Sequence, residues 1–210
     1  MALYVAIFQP SDATAKPSDA QSDATEATFE QADLWARNSQ YDNAETAYTD
    51  ILNSTVNEII KIKACIKLSD MFFMTGNADK AMHYIKLAYQ IPAINDSSNI
   101  NLLFRVNNVE ASLYLSRNQL AKCDSIINIT ATKIPEITDR EALAKFFYVA
   151  GKYAFASNDY KTGINVLQRA SMQYSDEIIT PEYGRVLLLI AQMFQVKNDF
   201  NLAEKNASEA

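Results

Sequence analysis

The sequence predicts an all-α fold, a solenoid of about five antiparallel helix pairs. Three observations lead there. A short turn recurs five times, about 40 residues apart: Ser39-Gln40-Tyr41 with Ala44, Gly76-Asn77-Ala78 with Ala81, Asn118-Gln119-Leu120 with Cys123, Asn158-Asp159-Tyr160 with Gly163, and Asn198-Asp199-Phe200 with Ala203. Each copy is a turn-forming pair, an apolar or aromatic residue, and a small residue three positions on. Self-similarity at a period of about 20–50 residues marks a stacked repeat. Apolar residues fall at three- and four-residue spacings rather than alternating, which favours helices over strands. Finally, Pro92, Pro135 and Pro181 lie between the repeats, where proline breaks no helix interior.

The elements follow in order. The pattern predicts helices over 26–38 and 41–54, 56–75 and 78–91, 98–117 and 120–132, 140–157 and 160–174, and 181–197 and 200–208. Thr55-Val56-Asn57-Glu58 and Thr138-Asp139-Arg140-Glu141 fit the capping box, in which a hydroxyl and a carboxylate satisfy orphan amides at a helix start. Thr180-Pro181-Glu182 sets a cap residue before a proline at the first helical position. The resulting units run about 26–54, 55–92, 97–135, 138–175 and 180–210.

Residues 1–25 read differently. After the apolar run Leu3 to Phe8 comes a stretch rich in small residues, proline and aspartate, which is expected to be a flexible leader. Ala13-Thr14-Ala15 resembles a signal-peptidase site, although no Lys or Arg precedes the apolar run. The leader is therefore either the remnant of an export signal or a disordered extension. The first reading implies a periplasmic or extracytoplasmic protein, the second a cytoplasmic one. Asp12, Asp19, Asp23 and Glu26 are expected to be solvated rather than metal ligands.

Composition excludes several classes. With 210 residues and a formal charge of −6, the chain lacks the basic excess of a nucleic-acid binder, so no direct nucleic-acid contact is expected. No run approaches the length needed to span a membrane. Cys65 and Cys123 read as small packing residues, and no metal motif surrounds either. There is no glycine-rich phosphate loop, HExxH or CxxC, and the lone His83 has no partner in sequence. No enzyme and no cofactor is expected. The Asn-x-Ser/Thr triplets at Asn53, Asn95, Asn128 and Asn206 carry little weight in an asparagine-rich chain.

The internal residues of each pair resemble the tetratricopeptide repeat. The pattern reads Ala32, Trp35, Tyr41, Ala44 and Tyr48 in the first unit. In the second it reads Leu68, Ser69, Phe72, Ala78, Ala81, Ile85 and Ala88. Ala111, Tyr114, Leu120, Cys123, Ile127 and Pro135 follow in the third, then Phe147, Gly151, Tyr160, Gly163, Leu167 and Ala170 in the fourth. The fifth carries Leu187, Ile190, Ala191, Phe194, Phe200 and Ala203. The resemblance covers about residues 26–210, with a spacing nearer 40 than the family's 34. It implies a right-handed superhelical solenoid whose first helices line a concave groove.

Projecting that register selects one groove-facing site early in each first helix. The five units place Glu26, Lys63, Arg105, Lys145 and Arg185 there. A cation early in a helix opposes the macrodipole by a few tenths of a kcal/mol, so local stability does not account for four in succession. Other projected groove residues are Asp70, Asn108, Tyr148, Lys152 and Gln192. Such a groove suits a carboxylate-rich or phosphorylated partner segment, through charge-assisted hydrogen bonds. The family's carboxylate-clamp arrangement of lysine and asparagine is not reproduced position for position, which counts against a chaperone-tail ligand. Set against the groove reading, the cations are ordinary helix-surface residues, some of them paired with Asp or Glu.

The expected function is a non-enzymatic interaction module that binds a protein or peptide, with the open end faces able to form a homodimer. The alternative is an exported sensor domain of a bacterial signalling or transcription regulator, since the array breaks off inside its last unit and reads as part of a longer protein.

Overall fold

The computed structural model describes residues 17–174 and 180–210, with side-chain surroundings from Thr25 onward. Ala13-Thr14-Ala15 and Asp12 lie outside the described residues, as do the side chains of Asp19 and Asp23. The helices are α1 (Pro17–Arg37), α2 (Tyr41–Ser54), α3 (Glu58–Met74), α4 (Ala78–Gln90), α5 (Ile100–Ser116), α6 (Leu120–Ala131), α7 (Arg140–Ala156), α8 (Tyr160–Ser171), α9 (Pro181–Val196) and α10 (Phe200–Glu209). Short 3-10 turns over Pro92–Asn95, Ser97–Asn99 and Ile134–Glu136 fill the inter-repeat segments. No strand occurs among the described residues.

Two helix limits differ from the sequence expectation by three residues or more. The first helix is already formed at Pro17, the first described residue, rather than starting at 26. Ala20, Gln21 and Ala24 are good helix formers. The eighth helix ends at Ser171, three residues before the expected limit, which places Tyr174 in the segment that follows it.

Every repeated turn is the same device. Its first residue adopts the left-handed conformation: Ser39 at φ 60°, Gly76 at 81°, Asn118 at 55°, Asn158 at 61° and Asn198 at 61°. The next amide then reaches back to close the helix, from Gln40 to Trp35, Asn77 to Phe72, Gln119 to Tyr114, Asp159 to Ala154 and Asp199 to Phe194, at 2.8–2.9 Å. This is the Schellman closure. The same residue caps the following helix, and the side chains of Asn77, Asp159 and Asp199 accept from amides three positions on. One dipeptide thus ends one helix and starts the next.

The two expected capping boxes do not form. The Thr55 hydroxyl accepts from the Asn57 amide, while Glu58 accepts from the distant Ala93 amide at 2.8 Å. The Thr55 amide is already used by the Ile51 carbonyl, so no donor remains for Glu58 there. At α7 the cap is Asp139, which accepts from the Ala142 amide, and Glu141 turns to cations instead. Thr180 does cap α9, accepting from the Tyr183 amide.

The chain divides into two compact units, one ending at Asn57 and one from Glu58 to Ala210. In the first, α1 and α2 form a hairpin. Ala32, Ala44 and Tyr48 have no exposed surface, and Phe29 meets Tyr48 edge to face at 5.4 Å. The Tyr48 hydroxyl donates to Asp33. Trp35 is half-buried.

In the second unit four helix pairs pack in succession. Each second helix (α4, α6, α8) also packs on the first helix of the next pair, while α3, α5, α7 and α9 pack one on another in order. Phe104, Phe147, Leu167, Val186 and Met193 belong to one buried cluster joining α5, α7, α8 and α9. Burial of each such side chain stabilises by about 1.5–3 kcal/mol. Small residues let the helices cross closely. A Cβ on Gly151 would lie 2.5 Å from Leu167 Cγ, and one on Gly163 would lie 2.5 Å from Met193 Cε.

Candidate partner-binding cleft

The layer of first helices α3, α5, α7 and α9 exposes two adjoining cavities. One, of about 280 Å³, is lined from α3 by Ile66, Asp70, Phe73 and Met74 and from α5 by Arg105, Asn108, Val109 and Ser112. Lys145, Tyr148 and Val149 of α7, Tyr174, and Glu182 and Arg185 of α9 complete it. The other, of about 490 Å³, is lined mainly by Leu115, Tyr148, Lys152, Phe155, Arg185, Leu188, Leu189 and Gln192. Tyr148 and Arg185 belong to both. The lining residues recur at three- and four-residue intervals because that spacing repeats on one helix face.

The projected residues are brought together with two exceptions, Lys63 and Glu26. Asp70, Arg105, Asn108, Lys145, Tyr148 and Arg185 line the first cavity, and Lys152 and Gln192 join the second. Lys63 is exposed on α3, seven residues before Asp70, and lines neither. Glu26, in the other unit, is exposed on α1.

The four cations do not form an unpaired stripe. Arg105 donates from Nε to Asp139 at 2.5 Å and from Nη2 to Glu141 at 3.0 Å. Lys145 Nζ lies 3.1 Å from the other Glu141 oxygen, and Arg185 Nη1 lies 3.5 Å from Glu182. Burial opposes ionisation of Glu141, but Lys145 and Arg105 outweigh it and hold the carboxyl down to about 2. Burial likewise works against the Arg105 charge, and its bonds to Asp139 and Glu141 more than restore it. The partners of Lys145 and Arg185 stand four and three residues earlier, so helical spacing alone announces them. Asp139 is 34 residues from Arg105, and only the packing of α7 on α5 joins them.

Lys152 stands apart. It makes no ion pair among the described residues, and its Nζ lies 5.7 Å from the Tyr148 ring centre. The second cavity has no carboxylate among its lining residues.

Two polar groups in the first cavity lack partners. Asp70, half-buried on α3, makes no hydrogen bond or ion pair among the described residues; burial raises its pKa against the fields of Lys145, Lys67 and Arg105. Asn108 is 4 % exposed, and its Nδ2 donates to the Ala142 carbonyl at 2.9 Å while its Oδ1 has no partner. A flipped amide would set its oxygen against the Ala142 carbonyl oxygen, which fixes the amide orientation. Tyr148 and Tyr174 are raised by burial, Tyr174 to about 12.

The apolar floor of Ile66, Phe73, Met74, Val109 and Val149 was not singled out by the sequence projection, which followed polar positions only. Tyr174 was missed because α8 ends early. The ring contacts Tyr183 at 5.7 Å and so returns to the cleft.

Among the described residues no group of three or more His, Cys, Asp or Glu is placed to hold a metal, and no helix is long and apolar enough to cross a membrane. His83 packs edge to face on Tyr84 of α4 and does not line the cleft.

No protein-family model matches the chain, and no curated protein matches its sequence. Solved structures do. BtubC (BKLC) from P. vanneervenii is 13% identical with a TM-score of 0.66, covering 93% of this chain and 90% of its own. A signal-transduction ATPase with numerous domains (STAND) and a tetratricopeptide-repeat sensor from Pyrococcus horikoshii is 17% identical with a TM-score of 0.69, over 90% of this chain. Aspartyl phosphate phosphatase F from Bacillus subtilis is 17% identical with a TM-score of 0.68, over 96% of this chain. The chain spans only 29% of the STAND protein and 56% of the phosphatase. At these identities the likeness speaks for the fold, which is a helical repeat of the tetratricopeptide type.

Proposed function

We propose that this chain is a non-enzymatic interaction module that receives a protein or peptide segment in the cleft lined by α3, α5, α7 and α9, with an acidic group of the partner between Lys152 and Arg185. One observation carries the reading: among the described residues Lys152 is a cleft cation with no ion pair, and it shares with Arg185, whose described carboxylate partner is 3.5 Å away, a cavity whose described lining holds no carboxylate. The leucines and Phe155 around them offer apolar contact for neighbouring side chains. Arg105 and Lys145 act differently, as members of the ion-pair set that joins α5 to α7.

Fluorescence anisotropy with a labelled decapeptide of alternating Glu and Leu tests this. Wild type is expected to bind, and Lys152→Ala/Arg185→Ala to bind at least about tenfold more weakly, a difference of about 1.4 kcal/mol. Equal affinity for the two proteins overturns the reading.

A second reading, a sensor domain of a bacterial regulator, draws on the use of this fold as the sensor of the STAND protein. Reading the gene beyond codon 210 tests it. An apolar segment of about 20 residues followed by an output domain supports it, and an immediate stop codon counts against it.

A further inference from the structure

We infer that the first cavity is a subsite for a protonated alkylamine, the side chain of a lysine in the partner segment, held by the Asp70 carboxylate and the Asn108 Oδ1. The inference rests on the cleft reading above and gives that cleft a polarity: an amine over α3 and α5, an acidic group over α7 and α9.

Three facts converge. Asp70 and Asn108 both line the cavity; the Asn108 Oδ1 has no hydrogen-bond partner and Asp70 has none among the described residues. Asn108 is 4 % exposed, so its oxygen is largely withdrawn from bulk solvent. A buried acceptor without a protein partner is costly, and a ligand donor would recover that cost. The charges of the cavity also point to a cation. Arg105, Lys145 and Arg185 each hold another carboxylate, Glu141, Asp139 or Glu182, which leaves Asp70 as the lining carboxylate without an ion pair among the described residues. Lys67, one turn earlier on α3, adds its field but does not line the cavity.

The walls suit a lysine stem. Ile66, Phe73, Met74, Val109 and Val149 are apolar, and methylene groups pack along such surface while the charged head reaches polar atoms. The rings of Tyr148 and Tyr174 stand beside them, and aromatic faces attract a nearby cation. Burial penalises the lone Asp70 charge, and an arriving ammonium relieves that penalty.

The test uses a small probe that needs no partner segment. Nα-acetyl-lysine amide is titrated into the full chain, observed by NMR through the Asp70 carboxyl carbon and the Asn108 side-chain amide. Both signals are expected to move, Nα-acetyl-norleucine amide is expected to leave them in place, and Asp70→Asn is expected to weaken the lysine probe at least about tenfold. Asp70→Asn is isosteric and removes a buried charge, so the variant remains folded. Equal response to the two probes, or an unchanged affinity in Asp70→Asn, overturns the subsite. Failure of the Glu/Leu decapeptide to depend on Lys152 and Arg185, with the lysine probe still bound at Asp70, strikes the acidic-segment reading alone.

Discussion

Arg105 of α5 reaches across to Glu141 in the first turn of α7, with Nη2 3.0 Å from Oε2. The other oxygen of that carboxylate holds Lys145 at 3.1 Å. A single acidic residue thus gathers two of the four repeated cations and ties neighbouring repeats together.

Replacing that residue has a pH signature. The Glu141 carboxyl is held at about 2, below its ordinary value, so the folded state favours the ionised form. Its contribution is present above the ordinary carboxyl range and is lost as pH falls through about 2. Because Glu141 is largely exposed, the contribution is about 0.5 kcal/mol rather than the full value of the shift. Thermal unfolding of Glu141→Gln should show a small loss at pH 7 that disappears by about pH 2. A gap unchanged across that range would contradict the ion-pair account.

Asp70 should behave oppositely. Burial raises its pKa, so the folded state disfavours its charge. The penalty is present above the raised value and vanishes below the ordinary aspartate range. Asp70→Asn is expected to raise Tm at pH 7, and the gain to close as pH is lowered towards 3.8. A lower Tm at neutral pH would show that the surrounding cations outweigh burial.

The turns predict a residue-specific pattern. Asn118 sits at φ 55°, where a Cβ-bearing residue pays about 1–2 kcal/mol and asparagine less. Asn118→Ala should cost about 1 kcal/mol in urea unfolding, whereas Asn118→Gly should cost nothing. If alanine and glycine behave alike, the left-handed conformation is not what this position requires.

Gly151 sets two helical effects against each other. Alanine is a better helix former by about 1 kcal/mol, yet its Cβ would lie 2.5 Å from both Cγ and Cδ2 of the fully buried Leu167. Overpacking of this kind costs about 1–3 kcal/mol, so Gly151→Ala should be destabilising. A stabilised variant would mean that α7 and α8 can move apart.

Much of the fold was legible because its signals are local. The left-handed turn residue, the cap that follows it and the small residue three positions on all lie within one turn of helix, and each obeys a steric rule that a sequence displays directly. The first helix was misjudged because Pro17 to Ala24 has the small, acidic composition of a leader while also containing good helix formers. The capping boxes failed for a different reason. Glu58 and Glu141 had stronger partners elsewhere, at Ala93 and at Arg105 and Lys145, and sequence spacing does not weigh local against distant bonds.

The sequence by itself determined the helices, their register and the helix face that carries Arg105, Lys145, Lys152 and Arg185, because a 3.6-residue period and a repeated turn leave little freedom. Only the tertiary structure decided what those charges do. Packing of α7 on α5 brings Asp139 and Glu141 to Arg105, leaves Asp70 and the Asn108 oxygen without donors, and returns Tyr174 to the cleft. The partners of Lys145 and Arg185 lie within one helical turn, but those of Arg105 are 34 and 36 positions away, which a periodic pattern does not contain.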